Sequence, residues 1–270
     1  MCVATDPVLS DGYRPPGTGF RRVAAVAALV LGLAGLVISC AGLVIAILPR
    51  HFTAGQQQAI MDWEVNGRWR NLPAGKIFPD SVGYTLPDTV IQEDPPLALR
   101  AVRVAISPQT GCASGASDAA AAEVLRRDGC EAMLRATYVD QTMSFVMTVG
   151  IAVLPTAGAA TAASDGLSVT QLAAAQGSSA LPAGVRTVHF DGADGAMYDY
   201  SKQLSATVAA GPYLVMYSAG YADGRPRVQL AHDSYSQAEI TSFAQGVATV
   251  VANGLGSAPA APHCPGAPGC

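Results

Sequence analysis

The densest group of side chains able to do chemistry is His189-Phe190-Asp191-Gly192-Ala193-Asp194-Gly195, followed by Asp199. Carboxylate oxygens so grouped are what a hard cation such as calcium takes as ligands. An EF-hand loop, however, needs acidic or amide groups at its first, third and fifth positions and a glutamate at its twelfth, and this stretch offers a glycine and a different spacing. Asp and Gly together also supply ordinary turn geometry. His189, Asp191 and Asp194 therefore stand as candidate binding residues, with no metal expected. His232-Asp233 adds a second histidine, so a hydrolase using His189 or His232 as base and a loop serine as nucleophile is the rival reading. No serine lies in a G-x-S-x-G elbow, and a catalytic triad is defined by geometry in space.

Other familiar patterns fail on spacing. Gly75-Lys76 is followed by Ile77, and Arg70 stands five positions before Gly75, so a phosphate loop lacks both its glycine and its hydroxyl. No dinucleotide fingerprint occurs, and no cofactor is expected. Tyr213, Tyr217 and Tyr221 share one face of a strand by their even spacing, either as a ligand platform or as cross-strand packing.

Cys2 and Cys40 precede the bulk of the chain, leaving Cys112, Cys130, Cys264 and Cys270. Four cysteines allow three pairings; the local ones, Cys112 to Cys130 and Cys264 to Cys270, are preferred in an oxidising compartment. The spacings match no paired C-x-x-C zinc pattern, although His263 adjoins Cys264.

The elements that must position these residues follow an α+β order. Residues 53–65 read as a short helix with Thr53 as N-cap, and 98–107 as a strand. Ser117-Asp118 opens an alanine-rich helix that runs through Arg127 and stops at Gly129. Residues 131–139 and 144–154 form a hairpin turning at Asp140-Gln141-Thr142, the second strand placing Phe145, Met147, Val149, Ile151 and Val153 on one face. Residues 156–177 read as a helix interrupted by Gly166, and 185–190 as a strand. Residues 203–210 and 213–221 make a second hairpin around Gly211-Pro212. An amphipathic helix spans 236–253, with a capping box from Ser236 to Glu239 and Gly254 as terminator. Helices thus flank a mainly antiparallel sheet. The recurring hairpin-plus-helix unit hints at a pseudo-repeat over 130–254.

Ahead of this domain, residues 23–48 (VAAVAALVLGLAGLVISCAGLVIAIL) carry no charge, amide or proline. A helix of that length reaches roughly 39 Å, enough to cross a hydrocarbon core of about 30 Å. Arg14, Arg21 and Arg22 precede it and only Arg50 closely follows, which by the positive-inside rule places the N-terminus in the cytoplasm and the C-terminal domain outside. Processing at Cys40 as a lipoprotein, or cleavage of an export signal, competes with a retained anchor. Ala28, Gly32, Gly35, Ser39, Gly42 and Ala46 lie on one stripe of period 3.5, which suits association of the span with a second copy or another envelope protein.

The expected organisation is a cytoplasmic tail at 1–22, the span at 23–48, a juxtamembrane stalk at 49–96, the α+β domain at 97–254 and a Pro- and Ala-rich tail at 255–270. Trp63 and Trp69 fall near the membrane in sequence, as an interfacial belt or as packing of the stalk onto the domain. Net charge is −4, and of the 20 acidic and 16 basic side chains only two and three precede the span. A mildly acidic outer part has no basic stripe for phosphates, which argues against nucleic-acid partners.

The basic proline-containing tail, the Ala- and Gly-rich span, the WRNLPAGKIFP stretch and the two-cysteine α+β domain together resemble single-pass membrane proteins of high-GC Gram-positive bacteria. The plan is also similar to anchored envelope sensor domains with disulfides. The likeness implies a location in the cell membrane and lends no mechanism. The resulting expectation is a non-catalytic extracytoplasmic binding, scaffolding or sensor-like domain, with the bilayer as one partner. Alternatives are the hydrolase above and a structural component of an envelope or secretion complex.

Overall fold

A computed structural model describes residues 30, 52–86, 98–177, 184–188, 190, 202–225 and 234–263. The chain divides into two units, Met1–Thr53 and Ala54–Cys270. Apart from Val30, the apolar stretch 23–48 lies outside the described residues, and with it Gly32, Gly35, Ser39 and Gly42. No helix among the described residues is long and apolar enough to cross a membrane.

The second unit is α+β. In chain order it contains α1 (Ala54–Asn71), α2 (Ala74–Ile77), β1 (Ser81–Thr85), β2 (Ala98–Ile106), α3 (Cys112–Gly115), α4 (Ala119–Arg127), β3 (Ala132–Asp140), β4 (Phe145–Val153), α5 (Ala157–Gly177), β5 (Lys202–Ala210), β6 (Tyr213–Tyr221) and α6 (Ser234–Gly256). The six strands form one sheet in the order β1-β2-β3-β4-β6-β5, and every neighbouring pair is antiparallel.

Both faces of the sheet are covered, which explains why central β4 is buried at every position and apolar apart from Thr148. On the first face Phe145, Met147, Val149, Ile151 and Val153 of β4 join Tyr213, Val215 and Tyr217 of β6 beneath Ile240, Phe243, Val247, Val251 and Leu255 of α6. Burying each of the large α6 side chains contributes about 1.5–3 kcal/mol. On the second face Met133, Ala152, Leu214 and Met216 pack under Ala121, Val124 and Leu125 of α4 and Ala160, Ala163 and Leu167 of α5. The helices following the two hairpins thus lie on opposite faces. A rotation relating antiparallel β4 and β6 within the sheet would keep them on the same face, so the expected pseudo-repeat is not a structural one.

Several sequence expectations are corrected. Residues 54–86 are integral to the domain rather than a separate stalk: Val65, Ile77, Phe78, Val82, Tyr84 and Leu86 belong to the first-face core. Helix α1 runs six residues past Val65 to Asn71, and Pro73, which has no N–H, marks the break before α2. Gly166 does not interrupt α5; it lets α5 approach α4, because a Cβ there would stand 3.1 Å from Val124 Cγ1. Helix α6 starts at Ser234, so Ser236 lies inside it and cannot be its N-cap, and it passes Gly254 to end at Gly256. A Cβ at Gly256 would come within 2.8 Å of the Ala210 backbone, which is why that end is glycine.

Local chemistry confirms α4. The Asp118 carboxylate accepts the Ala121 N–H at 2.8 Å. At the other end Gly129 takes φ +80°, with Gly129 N–H donating to Arg126 O and Cys130 N–H to Leu125 O, a Schellman closure. Cys112 and Cys130 are joined by a disulfide, with Cα atoms 6.3 Å apart. Cys264 and Cys270 lie outside the described residues.

Candidate functional site

Buried Arg135, Thr137, Thr148 and Ser218 gather on the second face of the sheet, whereas buried Asp140 ends β3 on the first. Thr137 on β3 pairs in register with Thr148 on β4, Thr148 with Ser218 on β6, and Ser218 with Ser205 on β5, so four hydroxyls form one row across four strands. The Thr137 and Thr148 hydroxyls share a hydrogen bond of 2.8 Å, and those of Ser205 and Ser218 one of 3.2 Å. In the adjoining row stands Arg135, whose guanidinium is almost wholly buried.

Residues 184–188 cross over this row as an extended strap. Sequence patterning read 185–190 as a strand, but its described residues form isolated bridges, at Val185 (to Ala116) and at Phe190, rather than a strand of the six-stranded sheet. Its backbone bonds instead go to side chains below and to the α3 end beside it. Val185 N–H donates to the Ser218 hydroxyl at 3.2 Å, the Thr137 hydroxyl donates to Val188 O at 3.1 Å, and Arg135 donates to Arg186 O at 3.0 Å. Two glycines permit the close approach. A Cβ on Gly150 of β4 would sit 2.7 Å from Val185, and one on Gly184 would sit 2.3 Å from the Ser218 oxygen. Past the strap, Phe190 packs on Val139 and Val146.

Lys202, one of only two lysines in the chain, begins β5 at 3% exposure beside Thr148, Thr187 and Ser218. The depression these residues line leaves about 10 Å³, the room of roughly one water. Small-molecule sites are tens of times larger. Among the described residues, the hydroxyl row holds the strap and leaves room for about one water.

His189, Asp191, Asp194 and His232 lie outside the described residues. Tyr213, Tyr217 and Tyr221 do share a face, but Tyr213 and Tyr217 are buried in the core that α6 covers, which corrects the idea of an open ligand platform. The Tyr213 hydroxyl donates to Val65 O at 2.5 Å and accepts the Trp69 N–H at 3.4 Å. Burial raises the phenol pKa of both Tyr213 and Tyr217. Tyr221, half-buried, packs against Phe145 at 5.5 Å with the Arg225 guanidinium over its ring. Trp69 packs against the core with Arg70 stacked on it at 4.5 Å, whereas Trp63 is 37% exposed. Among the described residues no three His, Cys, Asp or Glu side chains cluster as metal ligands.

Sequence reasoning missed the hydroxyl row because each member is an unremarkable Thr or Ser within an apolar strand. The available signal was hairpin symmetry: Thr137 and Thr148 lie equally far from one turn, and Ser205 and Ser218 from the other. No protein-family model, curated protein or solved structure matches the chain.

Proposed function

We propose that the chain is a membrane-anchored extracytoplasmic domain that binds or scaffolds an envelope component or partner protein and catalyses no reaction. The observation that carries the reading is the Cys112–Cys130 disulfide, a bond that persists in oxidising compartments. The uncharged stretch 23–48, with arginines before it, supplies the anchor and its orientation. Binding is favoured over catalysis by how the buried polar groups are used: the Thr137, Ser218 and Arg135 side chains are bonded into holding the strap. The span's small-residue stripe is the contact for a second copy or for a neighbouring span in an envelope or secretion complex.

Crosslinking of the full chain in its own membranes with a photoactivated, residue-independent reagent tests this. The expected result is a discrete larger species, containing a second copy or one envelope protein, that is reduced when Gly35 and Gly42 are both replaced by leucine. The reading is overturned by turnover of an ester or amide substrate that is abolished in a His189→Ala/His232→Ala variant.

A further inference from the structure

The disulfide and the strap are mechanically connected. Cys112 is the first residue of α3, a helix of four residues whose Gly111 N-cap offers no side-chain bond. The other end of α3 is where the strap is fastened. Arg186 N–H donates to Gly115 O at 2.8 Å and Ser117 N–H to Gly184 O at 3.0 Å, while Gly184 N–H donates to the Ser117 hydroxyl at 2.8 Å. Gly115 is pressed onto the sheet, a Cβ there falling 2.3 Å from Met133 Sδ and 3.4 Å from Arg135 Cδ. The same Arg135 donates to Arg186 O from below. Three residues after the sulfur, therefore, the chain grips the segment that roofs the hydroxyl row. A helix of one turn has no cooperative stability of its own. It is held by the Gly115 and Ala116 contacts at one end and, at the other, by the Met133 N–H bond to Thr110 O at 2.8 Å and the bond to Cys130, itself fixed by the Schellman closure of α4; of these the disulfide is the covalent tie.

We propose that the Cys112–Cys130 disulfide is a redox latch for the 184–188 strap: its reduction loosens α3 and the strap together and uncovers the hydroxyl row, while the sheet stays folded. The reductant is a dithiol. One of its thiolates attacks a sulfur of the pair, its second thiol resolves the mixed disulfide, and two electrons and two protons pass to Cys112 and Cys130 as the dithiol closes to its own disulfide. Both cysteines are half-buried, so the bond can be reached from solvent. Local opening of this kind is a sub-global unfolding event, distinct from loss of the whole domain. The inference does not depend on membrane anchorage.

Hydrogen exchange read by mass spectrometry on the full chain in detergent tests the latch, comparing the oxidised protein, the dithiothreitol-reduced protein and a Cys112→Ser/Cys130→Ser variant. The quantity to follow is the exchange rate of peptides covering 184–188 divided by that of peptides from β4 and β6 in the same sample. The latch predicts that this ratio rises at least tenfold on reduction and equally in the double variant, whose other cysteines are intact. An unchanged or falling ratio overturns the proposal, since the disulfide would then stabilise the strap only through the domain as a whole. A rise on reduction that the double variant does not reproduce overturns it too, assigning the effect to another cysteine.

Discussion

At the scale of single residues, a hydroxyl in an apolar strand matters only through its partners. The Thr137 hydroxyl, fully buried, serves Thr148 and Val188 O at once. Thr137→Val keeps the shape but leaves both of those acceptors and donors without it, and stranding a buried polar group costs about 1–3 kcal/mol. Adding Thr148→Val removes one of the stranded groups, so the double variant should lose less stability than the two single losses added together. Urea unfolding of the four proteins measures the difference. A strictly additive cycle would mean that the pair contributes nothing as a pair. Neither threonine announces this role in sequence, where both are simply strand residues of suitable propensity.

At the scale of elements, one clamp between distant segments is Arg68 in α1. Its guanidinium, 14% exposed, donates to Leu255 O at 2.8 Å and Ser257 O at 2.6 Å, satisfying carbonyls that the end of α6 leaves orphaned. A cation at a helix C-terminus also opposes the negative end of its dipole. Arg68→Ala should therefore cost about 2 kcal/mol, by the usual worth of charge-assisted bonds to carbonyls. In thermal unfolding it should lower Tm, and in hydrogen exchange the last turn of α6 should open before its first. Elements with strong local signals were legible in sequence: α4 by Asp118 and Gly129, the two hairpins by turn residues and alternation, and α6 by its apolar face. Elements that owe their form to distant partners were not. Strand β1 is five residues with Gly83 at its centre and exists by pairing with β2. The strap has the composition of a strand, but it lies over a face of the sheet, and its bonds go to side chains of the sheet and to the α3 end. Gly166 and Gly254 read as breaks because glycine disfavours helices by about 1 kcal/mol; packing of α5 on α4 and of α6 on the sheet outweighs that.

At the scale of the whole molecule, the disulfide and the apolar stretch make separate demands on the environment, and the proposed topology satisfies both. Closing a loop of 18 residues contributes about 3 kcal/mol in the chain-entropy model, a stabilisation available only where thiols oxidise. In the proposed topology, arginines ahead of residues 23–48 hold the N-terminus on the cytoplasmic side and the disulfide-bonded domain lies on the oxidising one. This arrangement predicts the outcome of labelling intact cells with a membrane-impermeant maleimide. A cysteine introduced at exposed Gln141, in the turn between β3 and β4, should react without lysis, and Cys2 should react only after lysis. Moving Arg21 and Arg22 to follow residue 48 removes the charge bias that sets the orientation. It should exchange the two labelling patterns and leave Cys112 and Cys130 as free thiols, because the domain would then fold in a reducing compartment. Labelling of Gln141→Cys only after lysis in the unaltered chain would place the domain inside and remove the basis for the proposed envelope role.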